Sequence, residues 1–336
     1  MPERRALLED WLKAVLDRGE ITLTPASGDA SFRRYWRIAL EGQTYIAMDA
    51  PPGVEDTDRF VRIARDWRAL GLRTPAIHAE DADQGFLLLE DFGRRIYLEA
   101  LHADNADRLY GDALGALAII QACAPTQDLP AYDAPFLRRE LDLFRYWLVE
   151  RYLGLTLSSD EEADLEEGLA LLIASAVEQP RVCVHRDYHS RNLMITPSPS
   201  PGILDFQDAV AGPVTYDLVS LLRDCYIAWP RARVEEWAWG YFGLAVQSGI
   251  LRPEQEVDFP RWFDLMGVQR HLKASGIFAR LQIRDGKPGY LGDIPRTLGY
   301  VLEVAPAYAP LRGVAALIAG RVLPALSVAT SRAVTT

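Results

Sequence analysis

Lysine is what this 336-residue chain most conspicuously lacks: none occurs between Lys13 and Lys273. Lysine and arginine together number 36 against 47 acids, a formal net charge of −11. That balance opposes broad binding of nucleic acid or of an anionic membrane, since both need a basic surface. Cysteine is scarce as well, with Cys123, Cys183 and Cys225 only. They are odd in number, widely spaced and without metal-ligand spacing, so they read as reduced thiols of a cytoplasmic protein rather than as disulfides or a zinc site. No run approaches about 18 uninterrupted apolar residues. The N-terminus lacks the apolar core of a signal peptide, so neither a membrane span nor a secretory leader is expected. Internal repeats are absent, and no linker is long enough to isolate an independent domain.

What remains is ordinary for a globular chain, with 49% hydrophobic and 25% charged residues, enough to bury a substantial core over two lobes. Apolar stripes predict helices over Arg4–Leu16, Asp58–Leu70, Leu109–Ala122, Phe136–Leu153, Val234–Val246, Trp262–Leu281 and Leu311–Leu326. Ser159 and Glu162 read as a capping box that opens a further helix. Alternation predicts strands from Thr22 to Asp49 around the turn Glu41-Gly42-Gln43, and a second hairpin over Ala76–Ala79 and Phe86–Leu89.

The chain is organised around residues 182–208. Two apolar runs, Leu193–Ile195 and Ile203–Leu204, flank the turn from Pro197 to Gly202 and predict another hairpin. Before it stand His185, Asp187 and Asn192, spaced H-x-D-x-x-x-x-N, and after it Asp205 opens Asp-Phe-Gln. Phosphoryl transfer needs such a set: one carboxylate for the attacking hydroxyl, and an amide oxygen with a second carboxylate for magnesium on the ATP phosphates. A polar loop joining two core strands would use the same residue types, which are ordinary in turns. Both halves in order, separated by a hairpin, favour the phosphotransferase. Upstream, Ser27-Gly28-Asp29-Ala30-Ser31 is a small-residue loop whose backbone N–H groups can approach phosphate closely, although one glycine between strands also suits a plain turn.

The run His185-Arg186-Asp187 to Asn192, then Asp205-Phe206-Gln207 and Gly212-Pro213-Val214-Thr215-Tyr216-Asp217-Leu218, resembles the aminoglycoside phosphotransferase and choline kinase branch of the protein-kinase-like fold. Gly28–Tyr35, Met48–Pro52 and Gln269–Lys273 are similar to the anomeric kinases for N-acetylmuramate and N-acetylglucosamine of bacterial cell-wall recycling, and the resemblance covers nearly the whole chain. It implies an α+β, bilobal fold: a small antiparallel-sheet lobe over 1–91 that covers ATP, and a larger, mainly helical lobe over 92–336.

By resemblance, Asp187 takes the proton of the anomeric hydroxyl, while Asn192 and Asp205 hold Mg2+. Ser27, Gly28, Asp29, Ala30, Ser31 and Phe32 cover the phosphates, Leu89, Glu90 and Phe92 form the hinge that meets adenine, and His185 and Asp217 brace the catalytic loop. Met48 occupies the position of the usual strand lysine, so another cation is required. Arg33, Arg34 and Arg37 are the candidates, and Arg34 is assigned. The acceptor would meet Gln207, Arg270, His271 and Lys273, because residues 261–300 carry a local basic excess that suits an anionic sugar. The product, a sugar 1-phosphate, suits a downstream nucleotidyltransferase. Two other readings stand beside this one: a kinase for a cationic acceptor such as an aminoglycoside or choline, and an ATP-binding regulatory module, which the missing lysine motivates.

Overall fold

The structure, a computed structural model, describes the backbone of residues 2–27 and 33–334 and the side chains of residues 3–26 and 33–330. The chain begins α1 (Pro2–Leu16), β1 (Thr24–Ser27), β2 (Arg34–Leu40), β3 (Gln43–Asp49), α2 (Thr57–Ala69), β4 (Ile77–Asp81) and β5 (Phe86–Glu90). There follow α3 (Tyr97–Ala100), α4 (Ala106–Cys123), α5 (Ala134–Leu143), a π-helical segment (Phe144–Tyr152) and α6 (Ser159–Val177). Next come β6 (Arg181–Val184), β7 (Leu193–Met194), β8 (Gly202–Ile203) and β9 (Val210–Pro213). The remainder is helical: α7 (Tyr216–Leu222), α8 (Arg231–Gln247), α9 (Phe259–Asp285), α10 (Ile294–Val304), α11 (Arg312–Leu317) and α12 (Leu323–Val334). Two compact units divide it, Met1–Ala116 with Arg191–Asp208, and Leu117–Ser190 with Ala209–Thr336. The expected boundary at residue 91 therefore falls inside the first unit, which also takes in the β7–β8 hairpin.

The first unit is built on an antiparallel sheet in the order β1-β2-β3-β5-β4. Alternation sorts its two faces. Trp36, Ile38 and Leu40 of β2, Tyr45 and Ala47 of β3, and Phe86 and Leu88 of β5 pack with Leu8 and Leu12 of α1. Tyr35, Arg37 and Ala39 consequently point to the other face. Asp56 caps α2 by accepting from the Arg59 N–H at 3.0 Å. The buried stripe of that helix meets Phe206, whose ring lies 4.9 Å from Phe60 and 5.8 Å from Trp67. The β7–β8 hairpin is tied in by Ile203 N–H to the Arg73 carbonyl at 2.8 Å and Ile195 N–H to the Arg95 carbonyl at 2.9 Å. These bonds explain why it belongs to this unit.

In the second unit α9 is the central element, packed by α5, the π-helical segment, α6, α7 and α10. Enclosure buries even its polar residues, among them Gln269, Arg270, His271, Lys273 and Ser275. The single helix expected over Phe136–Leu153 changes at Phe144 into the π-helical segment. Gly276 of α9 lies directly against that junction. The capping box sits one residue earlier than expected: Ser158 accepts from the Glu161 N–H at 3.2 Å, and the Glu161 carboxylate accepts from the Ser158 N–H at 2.8 Å. Paired serines and paired glutamates let the motif fit either register, and only chain entry selects one. The run Ala309–Thr330 is apolar enough to resemble a membrane span. Val314, Leu317, Ile318, Val322 and Leu326 are nevertheless buried in the core, and Arg321 pairs with Glu161 at 2.5 Å.

A β-carbon on Gly276 would stand 2.3 Å from the Leu143 carbonyl carbon and 2.4 Å from its oxygen. Both atoms are backbone and cannot swing aside. Gly276→Ala is expected to cost about 1–3 kcal/mol through overpacking. Thermal denaturation measures it; an unchanged midpoint contradicts the close packing.

Candidate active site

The catalytic loop leaves β6 at Val184 and enters a region without strand partners. Asp217, in the first turn of α7, supplies them: its carboxylate accepts from His185 N–H at 2.6 Å and Arg186 N–H at 3.0 Å. Arg186 has φ 78°, left-handed backbone that a non-glycine residue adopts only when its surroundings enforce it. His185 is buried, and its Nδ1 accepts from the Asp187 N–H at 3.2 Å. Burial raises the Asp217 carboxyl to about 6, even though the His185 and Arg186 amides pull the other way.

Asp187 itself is held ionised. Burial alone pushes its carboxyl up, but Lys273, with Arg186, Arg270 and, when protonated, His189, outweighs that and brings it down to about 2. The permanent cations Lys273, Arg186 and Arg270 are locked in place. Glu140, 6% exposed, takes Lys273 at 3.1 Å and Arg186 at 2.6 Å, and its carboxylate also accepts from the Tyr132 hydroxyl. Lys273 donates to the Tyr216 hydroxyl at 2.8 Å. Arg270 donates to the Ser220 hydroxyl and to Cys225 Sγ. It has no carboxylate ion-pair partner among the described residues. His189 is buried with Nδ1 unpartnered, as is Ser190 Oγ. Burial pushes the His189 imidazole down to about 4, so it is neutral at pH 7.

The expectation of an acceptor contact from His271 fails on geometry. Its Nε2 lies 2.8 Å from the Arg223 carbonyl, and its ring stacks on Tyr300 at 4.8 Å. The inferred basic surface over 261–300 is also mostly neutralised: Arg261 pairs with Glu178, Arg284 with Asp285 and Arg296 with Asp293. Lys273 is bound to Glu140. Arg270 is the cation of this stretch that stays close to Asp187 without a carboxylate of its own.

In the first unit, Asn192 and Asp205 sit together, Nδ2 to Oδ2 3.5 Å apart, fixed by the Leu204 N–H to the Asn192 carbonyl at 3.0 Å. Asp205 also has positive φ, 62°. A half-turn of the Asn192 amide presents its oxygen instead of its nitrogen. One amide and one carboxylate oxygen fit magnesium, which keeps water and phosphate oxygens in the rest of its octahedron. No group of three or more His, Cys, Asp or Glu able to hold a metal occurs among the described residues. Gln207 donates to Asp205 at 2.8 Å, so it orients that carboxylate.

Two further expectations change in this unit, those for Arg34 and Arg37. Arg34 shares the face of Trp36 and Ile38, the side packed by α1, and so points away from Asp205. Arg37 is committed elsewhere, bidentate to Asp91 at 2.6 and 3.0 Å and to the Gly93 carbonyl at 2.7 Å. Glu90 braces the sheet: its N–H donates to the Ala76 carbonyl at 2.8 Å and its carboxylate takes Arg73 at 2.5 Å. An open cavity of about 470 Å³ lined by Thr22, Thr24, Ala39, Thr44, Asp91 and Gly93 opens on the Arg37 face. Met48 is fully buried, and Ser27 ends β1 opposite Tyr35. Gly28, Asp29, Ala30, Ser31 and Phe32 lie outside the described residues.

Residues 22–248 match the profile of the phosphotransferase enzyme family. The chain belongs to that family. The N-acetylmuramate/N-acetylglucosamine kinase of Pseudomonas putida is 48% identical over 317 residues, covering 90% of this chain and 93% of that protein. The protein of the same name from Pseudomonas aeruginosa is 50% identical over 288 residues, 86% of this chain and 85% of its own. Among solved structures, choline kinase LicA from Streptococcus pneumoniae superposes with a TM-score of 0.63 at 12% identity, over 89% of this chain and 98% of that one. A thermostable mutant of aminoglycoside phosphotransferase APH(4)-Ia gives 0.59 at 16% identity, over 90% and 99%. At such identities these two carry the fold alone, the α+β protein-kinase-like one.

Several residues that shape the phosphotransferase site have no signal in the sequence. Glu140 lies on α5, 45 residues before the catalytic motif, and Asp224 follows α7, where its oxygens accept from Ser190 N–H and Tyr226 N–H, each at 2.9 Å. Neither belongs to a motif. Arg186 stands within H-R-D itself, and only its pairing with Glu140 reveals its part.

Asp217 sets a pH test. Its folded value of about 6 lies above the ordinary carboxyl value, so the folded state holds the proton more tightly. Its contribution to stability is present below about pH 4 and is lost as pH rises to about 6, on the order of 3 kcal/mol. Asp217→Asn is expected to flatten that interval of the stability profile while leaving one loop N–H unsatisfied, with activity at pH 7 lowered at least about tenfold. Denaturant melts between pH 4 and 7 read the first effect; an unaltered profile contradicts it.

Proposed function

We propose that this protein is an ATP- and magnesium-dependent kinase that phosphorylates the anomeric hydroxyl of N-acetylmuramate or N-acetylglucosamine, yielding the sugar 1-phosphate. The observation that carries this reading is the half-buried, ionised Asp187, held among cations in a chain 48–50% identical to two kinases named for these sugars. Asp187 orients the hydroxyl and accepts its proton. An anomeric hydroxyl is more acidic than an ordinary alcohol, so a carboxylate of low basicity suffices. Asn192 and Asp205 hold magnesium, whose charge, when bound, offsets that developing on the phosphates. The Gly28 loop covers them, as its small residues allow.

The acceptor reading rests on charge. A cationic aminoglycoside or choline is disfavoured beside Lys273, Arg270 and Arg186, whereas a carboxylate-bearing sugar suits them. Arg270 supplies the contact for that carboxylate, and the unpartnered Nδ1 of His189 is available to a sugar hydroxyl. A pure binding module has no need of Asp187, Asn192 and Asp205 together. The sugar 1-phosphate suits a cytoplasmic nucleotidyltransferase as its next enzyme.

ATP consumption with N-acetylmuramate, N-acetylglucosamine, kanamycin, choline and no acceptor tests the assignment. Turnover is expected on the two sugars, giving an alkali-stable, acid-labile phosphate. Asp187→Asn should lower kcat about 10²–10⁴-fold. Turnover on the cationic acceptors alone sinks the substrate assignment. For Arg270→Gln, kcat/KM on N-acetylmuramate should fall about ten- to hundredfold more than on N-acetylglucosamine, since a hydrogen bond to a charged group is lost. Equal losses on both sugars would contradict carboxylate recognition.

A further inference from the structure

A kinase without a lysine on β3 needs another cation against the ATP phosphates. Met48, buried in register between Tyr35 and Leu87, cannot provide one. Arg34 opens β2 and goes with Trp36 and Ile38 toward the face packed by α1. Arg33, the residue just before that strand, reaches Asp205 and Glu55 instead. Its guanidinium, on a residue 8% exposed, places Nη2 3.6 Å from Asp205 Oδ1 and Nε 3.5 Å from Glu55 Oε2. Glu55 precedes the capping residue of α2, the helix whose Phe60 and Trp67 hold Phe206 beside Asp205. One buried cation thus joins a magnesium ligand to the start of the helix that positions it, all within one compact unit.

We propose that Arg33, braced by Glu55, is the residue that binds the terminal phosphates of ATP, an arginine–glutamate pair in place of the strand lysine and its helix glutamate. This rests on the kinase reading but not on the identity of the acceptor. Arginine suits the task because its planar fork meets two phosphate oxygens at once and its charge survives burial. Glu55 keeps that fork turned toward Asp205 when no nucleotide is present. Proximity to Asp205 places the cation where the metal-bound phosphates must lie, since Asp205 reaches them through the ion.

Calorimetric titration of the full chain with ATP, ADP and adenosine, each with and without magnesium, tests the proposal without any acceptor. In Arg33→Met, affinity for ATP and ADP should fall about ten- to hundredfold while adenosine binds as before. Arg33→Lys should recover part of the loss, because it keeps the charge but not the fork. Glu55→Gln should weaken ATP binding less than Arg33→Met does, again sparing adenosine. Unchanged ATP affinity in Arg33→Met overturns the proposal, as does an equal loss for adenosine. If Arg33→Met does not fold, Arg33→Lys with unchanged discrimination between ATP and adenosine, together with an ineffective Glu55→Gln, overturns it instead. Wild-type protein that binds neither ATP nor ADP overturns the kinase reading and this assignment with it. A protein that binds ATP but phosphorylates neither sugar leaves only the acceptor in error.

Discussion

Two backbone N–H groups in a loop without strand neighbours need an acceptor, and Asp217 is the one they have. The turn of the catalytic loop at His185 and Arg186 depends on that carboxylate. It lets Arg186 hold a left-handed conformation, which turns the chain so that His185 faces the Asp187 backbone and the Asp187 side chain faces the cations of α9. The geometry carries a cost. A carboxylate with two amide donors would ordinarily be strongly acidic, and burial in α7 reverses that, so the clamp is itself a strained, desolvated charge.

The opposite balance holds at Asp187. Asp217 is fully buried and Asp187 half-buried, yet one is pushed up and the other held down, because full cations lie near Asp187 while backbone amides donate to Asp217. Those cations exist at that depth only because Glu140 neutralises Lys273 and Arg186 together. Burying an ion pair is expensive unless its remaining hydrogen-bonding capacity is filled, and the hydroxyls of Tyr132 and Tyr216 fill it. Arg270 differs in having, among the described residues, a hydroxyl and a thiol rather than a carboxylate as hydrogen-bond partners.

Hydrophobic contact does the corresponding work in the first unit. Phe206 is lodged between Phe60 and Trp67, and the residue before it, Asp205, is delivered to Asn192 and Arg33. The hairpin that carries Asn192 is sewn to the strand and loop residues Arg73 and Arg95 by backbone bonds. Both side chains are thus anchored by rigid neighbours rather than by the loop between them.

Local pattern sufficed for much of this. Strand alternation placed the sheet, apolar stripes placed α1, α2 and α9, and the spacing of His185, Asp187, Asn192 and Asp205 announced the chemistry, because each depends on residues a few positions apart. The absent lysine was equally plain, and so was the need for a substitute. Which arginine takes that place was not: Arg33, Arg34 and Arg37 are indistinguishable as letters, and only strand direction and the Asp91 pairing separate them. Polar residues on α9 misled for a related reason. Charge in a sequence suggests solvent, while enclosure by five neighbouring elements buried Lys273 and His271 and gave them partners as distant in sequence as Glu140 and Arg223. The sequence by itself determined the reaction class and the element pattern, since both are written in short-range spacing. The tertiary structure decided which charges are paired with a carboxylate and which are not, since pairing at long range is set by packing and by the energetic cost of leaving a buried charge alone.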